Sequence, residues 1–221
     1  MKNLITKLEQ VTSPSEKVDL AIAVFEAMDD VNDYEFKGEK TRKYIFFTDI
    51  FDDLYHNDSA YRESIRLFEY YQPIMNEVEY SEDDDLFQIF DDVGKTKQEI
   101  YDYVLASYLE LEELEKAYKI YSENYEDVFE YFTGEQLFDY ENIFEIYTKI
   151  QKCKEELKPN SPKNAQIYFE MAKAYDDASV LTEYEVRKAL EYIDKSLEID
   201  PTNEEVKELK IQWENWYSNI I

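Results

Sequence analysis

The sequence predicts an all-α protein. Three observations carry that expectation. Apolar residues recur in steps of three and four, 3 Gly and 5 Pro are all that interrupt 221 residues, and no segment sustains a period of two. Ser13-Pro14-Ser15-Glu16 reads as a helix start, with Ser13 as N-cap, Pro14 in the first turn and Glu16 three residues after the cap. Val18, Ala21, Ile22, Phe25 and Met28 then form one helical face. Tyr44, Phe47, Phe51 and Leu54 repeat the spacing after Gly38, and Ile65, Phe68 and Tyr71 resume it after the Asn57-Asp58-Ser59 turn. Pro73 predicts a kink or stop near Tyr71.

Ser81 is expected to cap a short acidic helix that ends near Gly94, followed by helices over about 96–109 and 112–124. A periodic run from Gln136 to Leu157 forms one long helix or a hairpin, and Pro159-Asn160-Ser161-Pro162 ends it. The last helices are expected over about 163–177, 183–199 and 203–218. No Asn-Gly or Asp-Gly turn marks a hairpin, so no sheet is expected. About a dozen short helices without a long linker predict one continuous domain over 1–221, an antiparallel array of helix hairpins.

An internal repeat sharpens this. Tyr168, Met171, Ala172 and Tyr175, then Ala189, Ile193, Ser196 and Pro201, have the residue types and order of a two-helix repeat. Ala172 and Ala189 would let the two helices approach closely, and Tyr168, Tyr175 and Ile193 would fill the space beside them. The stretch Ala189 to Pro201 resembles the second helix and exit turn of the tetratricopeptide-repeat (TPR) family. Tyr101, Val104, Leu105 and Tyr108, followed by Ala117, Tyr121 and Asn124, echo it 67 residues upstream, near two periods of about 34. Tyr44, Phe47, Thr48 and Phe51 with Ser64, Phe68 and Tyr71 give a fainter echo.

The resemblance divides the chain into degenerate hairpins over 1–94, TPR-like units over 95–164, and a best-formed unit with a capping helix over 165–221. One departure stands out: Tyr175 to Ala189 is 14 residues, where the family has roughly nine, so Asp177 to Thr182 is expected to form a lengthened turn or extended helix ends. The family implies a superhelix that binds peptides or proteins on its concave face. Carried over to this chain, its template places Phe169, Lys173 and Asp176 on the groove side. An irregular helical bundle accounts for the same periodicity. In the last helix Val206, Leu209, Trp213, Trp216 and Ile220 suit a cap over the open end of the array.

Composition narrows function. The chain has 24 Lys+Arg against 52 Asp+Glu, a net charge of −28. That charge repels nucleic-acid phosphate, so direct DNA or RNA binding is not expected. One Cys and one His leave no His/Cys zinc set and no Cys–His pair. Three Gly cannot furnish a glycine-rich phosphate cradle. Asp30 and Asn32 begin an EF-hand-like spacing, but Tyr34 and Glu35 occupy the next ligand and glycine places. Asp83-Asp84-Asp85 could hold a divalent cation only loosely. Cys153 reads as a reduced thiol, and His56 as a helix-end residue favoured by the helix dipole. No cofactor, metal or catalytic residue is assigned. No apolar run approaches the length of a membrane span and no secretory leader is apparent, so a cytoplasmic protein is expected.

Acid is spread over both halves, with two windows free of Lys and Arg, Leu67–Gly94 and Ile120–Thr148. The second interleaves carboxylates with aromatics. Tyr121, Tyr125, Phe129 and Tyr140 are its candidate anchors, and Glu126, Asp127, Glu130 and Asp139 its steering charges. The same pattern also describes a solvated acidic surface over an aromatic core. The sequence thus points to a non-catalytic module that binds a basic protein or peptide. The alternative is an acidic inhibitor, an immunity-type protein or nucleic-acid mimic, that blocks the basic site of a toxin, nuclease or nucleic-acid-binding protein.

Overall fold

A computed structural model describes residues 1–30, 32–78, 84–129, 134–175 and 183–220. The chain divides into two compact units, Met1–Phe132 and Thr133–Ile221. The first holds α1 (Lys2–Gln10), α2 (Pro14–Ala27), the strands β1 (Tyr34–Phe36) and β2 (Glu39–Thr41), α3 (Phe46–Asp52), a π-helical turn (Asp53–Asn57), α4 (Tyr61–Glu77), α5 (Asp84–Glu110) and α6 (Leu114–Glu123). The second holds α7 (Gly134–Glu156), α8 (Asn164–Lys173), α9 (Glu183–Ile199) and α10 (Glu204–Ile220).

The expected start of α2 is present: the Glu16 amide donates to Ser13 Oγ at 3.5 Å, with Pro14 in the first turn. The expectation of no sheet needs correction. Tyr34–Phe36 pairs antiparallel with Glu39–Thr41. The connecting residues, Lys37 (φ 51°) and Gly38 (φ 80°), both sit in the left-handed region, as a two-residue hairpin turn requires. Burial fixes the register, since Phe36 and Thr41 face inward and the Phe36 ring meets Phe46 edge-on at 5.1 Å.

The described residues hold ten α-helices rather than about a dozen. One reason is α5, which runs straight through Gly94 where a break was expected. Val93, Thr96 and Ile100 are buried on one stripe of it, so packing outweighs the weak helix propensity of one glycine. Gly94 faces open space, and an added Cβ would meet no atom within 4 Å. Gly94→Ala should therefore stabilise the protein by about 0.5–1 kcal/mol. Urea titration followed by circular dichroism checks this, and a loss of stability would contradict it. Pro73 likewise lies inside α4. It and Glu69, whose carbonyl the ring deprives of a donor, are both on the exposed side, where such a lost bond costs least.

The core of the first unit is aromatic. Phe25 stacks on Phe47 at 4.6 Å, and Tyr71 meets Phe47 edge-on at 4.6 Å. The Tyr71 hydroxyl donates to the Tyr44 carbonyl at 3.1 Å, which lets the side chain be wholly buried. Asp92, on α5 and 1% exposed, receives Arg42, the residue after β2, through two guanidinium bonds, one of them Nε to Oδ2 at 2.6 Å. This bidentate pair ties the hairpin to α5.

In the second unit α8 packs along α9, α9 along α10, and α7 against α8. Ala172 and Ala189 are fully buried, and Ser196 Oγ donates to the Ala165 carbonyl at 2.7 Å, so α8 and α9 approach closely. Residues 134–156 form one helix rather than a hairpin. The expected long turn over 177–182 lies outside the described residues. Of the two tryptophans expected to cap the array, Trp213 is in the core with Val206 and Leu209, whereas Trp216 is 42% exposed.

Candidate functional site

The residues expected to bind a partner divide by burial. Tyr121 and Phe129 are core residues. Tyr121 meets Tyr125 at 5.4 Å and Phe129 at 5.1 Å, and Phe129 meets Tyr101 at 6.0 Å. Tyr125 is half-buried, and Glu126 and Asp127 are exposed. Those five stand together at the end of α6. Tyr140, Phe169 and Lys173 belong to the second unit. Tyr140 is buried and stacked toward Phe144 at 6.4 Å. Phe169 is 2% exposed and sits in the unit's core, with Lys173 Nζ 4.7 Å from its ring and 2.9 Å from Glu170. Glu130 and Asp176 lie outside the described residues, and of Asp139 only its place in α7 is described. Among the described residues of this window, Tyr121, Phe129 and Tyr140 are buried and Glu126 and Asp127 face solvent.

A different face combines half-buried tyrosines and an exposed histidine with carboxylates, and the sequence windows did not single it out. The turn that builds it is π-helical: the Asp58 amide bonds to the Asp53 carbonyl, five residues back, at 3.0 Å. Lys37 Nζ holds the Asp53 carboxylate at 2.6 Å, and the buried Lys17 approaches it at 3.7 Å while bonding Asp58 at 2.5 Å. This clamp fixes the turn against α2 and the hairpin. The wider turn presents Tyr55 and His56 toward α5. The Tyr55 ring lies 4.9 Å from His56, 5.4 Å from Tyr61 and 5.7 Å from Tyr103. Tyr103 donates its hydroxyl to Asp52 Oδ1 at 3.0 Å, and His56 Nε2 lies 3.9 Å from the same oxygen.

Acid surrounds these rings. Burial pushes the Tyr55 hydroxyl up to about 12, with Glu110 and Asp102 adding to the shift. The Tyr103 hydroxyl is raised by burial, by its bond to Asp52 and by the charges of Asp52, Glu99 and Asp102. Two of the carboxyls are themselves displaced upward. Asp49 is raised by burial, opposed by Lys37 and reinforced by Glu39, Asp53 and Asp52. Glu99 is raised by burial and then by Asp49. Such shifts mean that the charged forms are held against desolvation and mutual repulsion.

The sign follows from linkage. A carboxyl with a raised folded value binds protons more tightly when folded. Its penalty is fully present above that value and disappears as pH falls below the ordinary value near about 4. Asp49→Asn should therefore raise the melting temperature at pH 7 and leave it nearly unchanged at about pH 3. A gain of equal size at both pH values would contradict this.

Chemically the face offers hydrogen-bond acceptors and π surfaces. Among the described residues no group of three or more His, Cys, Asp and Glu is placed to hold a metal ion, and no helix is long and apolar enough to cross a membrane. Burial, with Glu156 and Glu170, pushes the Cys153 thiol up and leaves it a poor nucleophile. The fold and site together define a mostly helical acidic protein with an aromatic–carboxylate face. No protein-family model matches the chain, and no curated protein or solved structure matches it either.

Proposed function

We propose that this chain is a non-catalytic binding module for a basic protein or peptide, and that the face built by the π-helical turn and α5 receives it. One observation carries this reading: Tyr55, His56, Tyr61 and Tyr103 stand together amid Asp49, Asp52, Glu99, Asp102 and Glu110. Tyr faces take Arg or Lys by cation–π contact. The carboxylates steer the approach of such a partner and are themselves relieved of repulsion by it. The second unit is read as a TPR-like helix hairpin with its capping helix. Support comes from the buried Ala172 and Ala189 at the close approach of α8 and α9, and from Tyr175 and Ile193 in the surrounding core. A cytoplasmic setting, without direct nucleic-acid or membrane contact, accords with the charge.

The second reading, an acidic inhibitor seated in the basic site of a toxin or nuclease, is favoured by acid spread over both halves of the chain. Salt separates the two. A nona-arginine peptide should bind wild type more tightly than the Asp52→Asn/Asp102→Asn variant. Aromatic anchoring predicts modest weakening as salt rises, whereas a charge mimic loses affinity steeply. Equal binding to wild type and variant would remove this face from the account.

A further inference from the structure

The first unit carries a second recess, distinct from the aromatic–carboxylate face. It is a cleft of about 240 Å³ lined by Met75 and Val78 from the end of α4, Val93, Gly94, Lys97 and Gln98 from α5, and Asp127 and Val128 beyond α6. Its walls are fixed by a polar chain. Gln72 Nε2 donates to the Tyr101 hydroxyl at 3.1 Å, and that hydroxyl donates to Asn124 Oδ1 at 3.1 Å. The Asn124 carbonyl accepts from the Val128 amide at 3.0 Å. The chain thus joins α4, α5 and the segment carrying Asp127, so the cleft is preformed.

The lining combines two chemistries. Met75, Val93 and Val128 are nearly inaccessible and make an apolar floor. The lining also holds a half-buried cation, Lys97, an exposed carboxylate, Asp127, and Gln98. Among the described residues neither charge has an ion-pair partner, although most described lysines of the first unit have one. A single occupant can use all three features. A peptide's last residue has a carboxylate one bond from the carbon that bears its side chain. An apolar side chain would take the floor, its carboxylate Lys97, and a preceding basic residue Asp127. Gly94 leaves the mouth clear, since no atom lies within 4 Å of where its Cβ would be. The volume is below the roughly 300–1,000 Å³ of a site that engulfs a small molecule, and so matches one residue of a longer ligand.

We propose that this cleft receives the C-terminal residue of a peptide chain ending in a basic residue followed by a large apolar one. The test is a titration of isotopically labelled full-length protein, read from the methyl resonances of Met75, Val93 and Val128. The probes are acetyl-Ala-Lys-Leu with a free carboxylate, its C-terminal amide, acetyl-Ala-Ala-Leu, and free leucine. The free-acid Lys-Leu peptide should shift all three methyls saturably. The amide should bind about tenfold more weakly, as expected for loss of one charge-assisted hydrogen bond, and the Ala-Leu peptide should be weaker than its Lys counterpart. Lys97→Met should bind acid and amide alike. Gly94→Phe should lose binding while its circular dichroism stays that of wild type. Acid and amide binding wild type equally would overturn the proposal. So would free leucine matching the peptide, or the methyls remaining still at millimolar peptide. None of these results bears on the nona-arginine face, whose rings lie outside the cleft lining.

Discussion

Arg42→Met is expected to cost about 3–5 kcal/mol of stability at pH 7. The Asp92 carboxylate is 1% exposed and takes two bonds from the Arg42 guanidinium. Removing the cation leaves that charge buried with nothing to replace the lost bonds or the water given up on folding. Two controls separate charge from packing. Asp92→Leu combined with Arg42→Met removes both charges and should recover most of the loss, because a well-packed apolar pair is often no worse than a buried ion pair. Arg42→Lys should cost less than Arg42→Met, since an ammonium keeps the opposite charge beside the carboxylate while losing the paired fork. Urea titrations of the single and double variants measure this. A single-variant loss below about 1 kcal/mol, the worth of an exposed pair, would show that the bridge contributes little.

Phe47→Ala is the other large effect, again about 3–5 kcal/mol. Phe47 is wholly buried and meets four other rings: Phe25 stacked at 4.6 Å, Tyr71 edge-on at 4.6 Å, Phe46 at 5.7 Å and Tyr70 edge-on at 6.3 Å. Truncation opens a cavity that stiff aromatic neighbours cannot collapse into. Native-state hydrogen exchange localises the cost. Amides of α2 and α4, which flank this cluster, should lose protection. Phe47→Leu should cost markedly less. Equal losses for Ala and Leu would point to a specific ring geometry rather than volume.

How much of this the sequence disclosed depended on range. Local signals read well: the Ser13–Glu16 cap, the helical faces, and the Ala172 and Ala189 positions where α8 and α9 close together. The hairpin escaped because its strands are three residues long, too short to show a period of two, and its turn is Lys-Gly. The two helices expected on either side of Gly94 merge because neighbouring buried side chains outweigh one glycine. The face proposed to receive a partner was the hardest to see. Sequence windows rank charge by local density, which chose 120–148, where Tyr121, Phe129 and Tyr140 prove to be core. The face of half-buried tyrosines around the exposed His56 joins Asp52 to Tyr103, 51 residues apart, through a π-helical turn that no short motif announces. His56 was read as a helix-end residue. That description holds for its place in the turn, but not for Tyr55 and Tyr103, the two tyrosines it stands beside.

The most direct test of the binding reading uses the fact that the chain has one histidine. The His56 ring gives a single, unambiguous resonance at the centre of the proposed face, 4.9 Å from Tyr55 and 5.8 Å from Tyr103. Nona-arginine added at physiological ionic strength should move the His56, Tyr55 and Tyr103 ring signals together along one saturable curve, with much smaller changes at exposed acids of α10 such as Glu204 and Glu205. Uniform small shifts at acids throughout the molecule, with His56 unmoved, would show that the peptide responds only to bulk charge and would contradict the account.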